Sequence, residues 1–148
     1  MKTIYDPAVR DELLKRVDNI NPKLQSQWGK MSIDQMVHHI NLTYAAYFGE
    51  VTPTPRGSAF KKRLLKFLAL APTPIPKGKA ETLPEFVANE NYKLDEEKAR
   101  LQSYIKRMSA LKSQDTWPVS AAFGPLDAEE YGRLSYKHTD HHFKQFGV

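Results

Sequence analysis

Tyr131-Gly-Arg-Leu-Ser-Tyr-Lys-His138-Thr-Asp-His141-His142-Phe-Lys-Gln-Phe-Gly147 is the stretch whose reading decides this chain. Three of the five histidines in the 148 residues sit there, and the other two are the neighbours His38 and His39. At about 100° per residue, Tyr131, Leu134, His138 and His142 fall within roughly 80° of one another on a helix. The two histidines therefore continue the stripe that should face a core, with His141 at its flank. Two imidazoles buried one turn apart need partners for their ring nitrogens, and a divalent cation engages both at once.

The chain has no cysteine, which removes disulfides, thiolate ligands and a cysteine nucleophile together. A metal would be held by imidazole and oxygen, which suits zinc, nickel, manganese or iron better than copper(I). At 17.0 kDa and 41% apolar residues, residues 1–148 fit one globular domain with a core that needs no covalent staples. The first ten residues lack a signal-peptide core, and the longest apolar run, 67–71, is too short to span a bilayer, so a cytoplasmic address and no membrane insertion are expected. A formal charge of +5 is common on proteins that bind neither nucleic acid nor lipid. Glycine-rich phosphate loops and base-contacting motifs are missing, so no nucleic-acid partner is expected.

Working back from the last helix, Asp127-Ala-Glu-Glu130 supplies its N-terminal cap. Leu94-Asp-Glu-Glu97 opens another long helix, with Leu101, Tyr104, Ile105, Met108 and Leu111 as its stripe. Ser32-Ile-Asp-Gln35 caps a helix running to about Phe48, whose apolar face is Ile33, Met36, Val37, Ile40, Tyr44 and Tyr47. His39 lies on the shoulder of that face and His38 nearer the far side. Asp6-Pro7 opens the first helix, and Asn21-Pro22 stops it. Four long amphipathic helices imply an all-α four-helix bundle. The second and third are joined by a crossover of some forty residues, long enough to let them lie parallel. Within it, between proline clusters, Ser58 to Leu70 reads as a short extra amphipathic helix: Phe60, Leu64, Phe67, Leu68 and Ala71 at helical spacing, opposed by Lys61, Lys62, Arg63 and Lys66. Packing across its own domain as a lid is the commoner fate of such a helix; binding lipid, RNA or a partner is the other.

If the second and last long helices are neighbours, His39 meets His138 and His142 at ligand distance, leaving positions for water or substrate. Against this stands the plain alternative of hydrogen-bonded core histidines. The pairing of Trp28-Gly-Lys-Met-Ser-Ile-Asp-Gln-Met-Val-His-His39 with Tyr136-Lys-His-Thr-Asp-His-His-Phe-Lys-Gln-Phe-Gly147 resembles the DinB-like (YfiT-like) superfamily of metal-binding four-helix bundles. It is most similar to a branch known only as a domain of unknown function, with the tail motif His-x-Asp-His-His-x-x-Gln-Phe-Gly. The resemblance implies metal ligands at His39, His138 and His142, the three that helical phase selects. It departs at Ser120-Ala-Ala-Phe123-Gly124, where many members of the branch carry His-Pro ahead of the Phe-Gly. His38 and His141 are left as outer or surface residues, either able to substitute as ligand if the register shifts by one, and Tyr44, Tyr131 and Gln145 as polar neighbours of the site or, the commoner role, packing and hydrogen-bonding residues.

The resemblance implies a metal-dependent enzyme acting on a small molecule, either a transferase or isomerase using a low-molecular-weight thiol or a hydrolase. The alternatives are a non-enzymatic metal-binding or stress-response protein and a surface-binding module built on residues 58–70. The sequence admits a homodimer without arguing for one.

Overall fold

The computed structural model describes residues 1–78 and 82–148. Among these the protein is all-helical, with no strand beyond one isolated bridge between Ser120 and Gly124. The α-helices are α1 (Pro7–Asn19), α2 (Ile33–Tyr47), α3 (Ala59–Leu70), α4 (Leu94–Ser109) and α5 (Ala128–Gln145), with a 3₁₀ turn at Pro84–Phe86. α1, α2, α3 and α5 start where side chains can satisfy free amides at the helix start. Asp6 accepts from Ala8 N, and Pro7 follows at the first helical position. At α2, Gln35 Oε1 accepts from Ser32 N at 3.1 Å. At α5 the reciprocal pair is complete: Glu130 N donates to Asp127 Oδ1 and Asp127 N to Glu130 Oε2.

The four longer helices close on a core of Leu13, Val17, Met36, Ile40, Tyr44, Leu101, Ile105, Met108, Tyr131 and Phe143. α2 packs on α4 and α5, and α1 on α4 and α5. Side-chain pairs fix the directions. Asn41 meets Glu97 near the start of α4, while Glu50, just past α2, meets Tyr104, so α2 and α4 run parallel. Tyr44 meets Thr139 and Tyr47 meets Tyr131, so α2 and α5 run antiparallel. The parallel pair requires the long return, which residues 48–93 provide. At α5, Gly132 permits the N-terminal segment to lie close: a Cβ there would clash with the Tyr5 ring and Thr3 Oγ1, and Ile4 N donates to Gly132 O at 3.1 Å. No helix among the described residues is long and apolar enough to cross a membrane.

Helix α3 departs from the lid expectation. It lies against α5, but its inner side is Lys62, Lys66, Ala69 and Leu70, whereas Phe60, Leu64, Phe67 and Leu68 face solvent.

Candidate metal centre

The antiparallel contact of α2 with α5 brings His39 opposite His138 and His142. His39 Nε2 lies 3.1 Å from His138 Nε2, and His142 Nε2 lies 3.2 Å from the same atom. The ligand atoms of the three all fall within 4.8 Å of one another. Imidazole nitrogens about 2.0–2.1 Å from one zinc ion at a tetrahedral angle stand about 3.3 Å apart, so both measured separations suit a shared ion. The outer nitrogens decide which way the lone pairs point. His39 Nδ1 is 2.8 Å from the carbonyl oxygen of Phe86, and His142 Nδ1 is 2.9 Å from Gln145 Oε1. Both acceptors demand an N–H at Nδ1, which leaves Nε2 of His39 and His142 bare and aimed at His138. One proton on His138 Nε2 could answer only one of them well; a cation answers all three.

Burial favours the form that ligates. His39 and His142 are 4% and 8% exposed. Desolvation pushes the pKa of His39 down and that of His138 well down, and that of His142 down to about 3, with the neighbouring imidazoles adding to the shift at each. All three are thus neutral at neutral pH. Among the described residues no carboxylate joins the group, so the protein supplies three donors and the cluster could hold a metal ion with positions to spare.

Gln145 is fixed in turn, its Nε2 donating to Trp28 O at 2.7 Å, and Gln27 N donates to Gln145 O. The crossover covers the cluster from outside: Phe86 holds His39, and the Lys77 ammonium sits 4.2 Å over the Trp28 ring, itself 5.7 Å from the His141 ring. Trp28 therefore packs toward the end of α5. His141 is partly buried beside His142 but outside the triad. His38 points toward α4, stacked on Tyr92 at 3.7 Å with Nδ1 3.2 Å from Glu97 Oε2 at an angle that makes no hydrogen bond. The Tyr44 hydroxyl pairs with Thr139 and that of Tyr131 donates to Pro118 O, so both brace the core without bonding a histidine. Sequence reasoning missed Phe86, which acts through its backbone, and Glu97, whose acid suits a helix start but is buried against Asn41. A cleft of about 560 Å³ is lined by Gln25, Met31, Asp34, Tyr92 and Phe146 among others, and none of the three histidines lines it.

In fold and site, the described residues are all-helical and carry a cluster of three imidazoles, two of them buried and the third partly so. Comparison of the chain with family models, curated proteins and solved structures gave no match in any of the three.

Proposed function

We propose that the protein is a divalent-metal-dependent enzyme of the DinB-like kind, a four-helix bundle with a crossover, whose ion rests on His39, His138 and His142. The observation that carries this reading is the convergence of three Nε2 atoms with no fourth protein ligand among the described residues. A bound divalent ion would act as a Lewis acid, bringing the pKa of a water toward about 7 or holding a thiolate or carbonyl oxygen. The chain's own part is positional. Phe86 O and Gln145 Oε1 fix the tautomer and ring plane of His39 and His142, and burial keeps the imidazoles unprotonated. The reaction class is a thiol-dependent transfer or isomerisation, or a hydrolysis.

The decisive experiment is metal analysis of protein purified without chelator, followed by titration of zinc, nickel and manganese into metal-free protein. One ion per chain, lost in His142→Ala and His138→Ala, is expected. Sub-stoichiometric metal that neither substitution changes would sink the reading. A second reading, a sequestered ion without catalysis, is favoured by the burial of His39 and His142 and by the absence of the triad from the 560 Å³ cleft. A coordination sphere closed by a fourth protein ligand in the metal-loaded protein would select it; an exchangeable water selects the enzyme.

A further inference from the structure

Helix α3 is mounted inside out. None of its twelve residues is buried, and Phe60, Leu64, Phe67 and Leu68 are 78%, 48%, 72% and 55% exposed. On the helical wheel these four occupy an arc of about 100°. Polar bonds fix that orientation. Lys66 Nζ bonds Glu130 Oε2 at 2.7 Å and Pro125 O at 3.0 Å. From α5, Lys137 Nζ donates to Ala69 O and Ala71 O at 2.7 and 2.8 Å, occupying carbonyls at the helix C-terminus. The helix is thus bolted down by its lysine side and holds its apolar side outward. Lys61 and Arg63 are exposed on the two shoulders of that apolar arc, neither in an ion pair among the described residues, and the helix contains no acid.

We infer that α3 docks the protein on an anionic lipid surface. It lies flat, with Phe60, Leu64, Phe67 and Leu68 at the headgroup–acyl boundary and Lys61 and Arg63 against headgroup phosphates. Twelve residues span about 18 Å, enough to lie in the interface and too little to cross it. A second copy is a poor occupant, because pairing two such faces sets Lys61 and Arg63 against their counterparts with no acid on either helix. Nucleic acid would take the charges and leave Leu64 and Leu68 in water. Two basic shoulders around an apolar centre match an anionic bilayer.

The test is co-sedimentation of the full chain with phosphatidylcholine vesicles made with and without phosphatidylserine, alongside gel filtration and binding to single-stranded RNA. Partition onto phosphatidylserine-containing vesicles alone is expected, weakening with salt. The double variant Lys61→Gln/Arg63→Gln should bind about thirtyfold more weakly, about fivefold per charge. Phe60→Ser/Phe67→Ser should abolish binding while leaving the melting temperature and metal content unchanged, since both rings are exposed. Absence of phosphatidylserine-dependent binding overturns the proposal, as does binding that survives Phe60→Ser/Phe67→Ser. Self-association or RNA binding that depends on α3 without vesicle binding overturns it as well.

Discussion

Gln145 connects a buried imidazole to the loop carrying Trp28, accepting from His142 through one side-chain atom and donating to Trp28 O through another. An acceptor behind a ligating histidine fixes its tautomer, and losing one typically costs ten- to a hundredfold in metal affinity. Gln145→Leu should therefore weaken metal binding by about that factor with all three histidines in place, measured by competition with a metal indicator. Unchanged affinity would show that packing alone orients His142. Gly29 offers an independent route to the same contact. Its φ is +81°, and a Cβ there would lie 2.7 Å from Gln145 Nε2, so Gly29→Ala should shift affinity in the same direction. The triad was legible because phase on two helices selects His39, His138 and His142 before any fold is known. The support behind it was legible only in part. Gln145 stands three residues beyond His142 on the same helix and could be named as a neighbour. Phe86 holds His39 by a backbone carbonyl, and any residue has one.

At the scale of elements, helix starts were readable because caps are local chemistry: Asp6-Pro7, Ser32 with Gln35 and Asp127 with Glu130 each stand at the boundary they imply. What an amphipathic pattern leaves open is the direction of its face. Phe60, Leu64, Phe67 and Leu68 share one side of α3, but bonds from Lys66 and Lys137 to distant partners decide that this side looks outward. The crossover poses a similar problem, since proline punctuation shows that it is not a long helix without saying what it covers. Its 3₁₀ turn sits on α2, and Phe86 O accepts from a histidine of the triad. Fixing that ring on a metal should steady the turn. Amide exchange at Phe86 and Val87, which bond Leu83 O and Pro84 O, should slow when zinc is added to metal-free protein, while exchange in α3 stays the same. Equal slowing throughout would indicate general stabilisation instead of a coupling through His39.

At the scale of the whole molecule, three neutral imidazoles of the cluster make stability depend on pH in a way that separates them from carboxylates whose pKa is lowered. Burial holds the pKa of His142 at about 3 against an ordinary 6.5, and those of His39 and His138 are lowered as well. Between the folded and unfolded values the unfolded chain binds protons that the folded chain does not, so stability rises with pH across that interval. The contribution is fully present above about pH 6.5 and is lost as pH falls toward the folded values, at up to about 1.4 kcal/mol per pH unit for each group. The carboxylates of Asp34, Glu50 and Asp140 are lowered from their ordinary values, so their loss begins only near the ordinary carboxylate range, below about pH 5. The window from pH 6.5 to 5 therefore belongs to the histidines. Metal-free protein should show a falling urea midpoint across that window, and His142→Leu, which removes one of the protons taken up on unfolding, should flatten the slope. If zinc binds the neutral folded triad as proposed, a concentration a hundred times its dissociation constant should add about 2.7 kcal/mol and move the onset of acid unfolding to lower pH. A slope in this window that His142→Leu leaves unchanged would mean that the protons are taken up elsewhere, and that the imidazoles are not held neutral by the core.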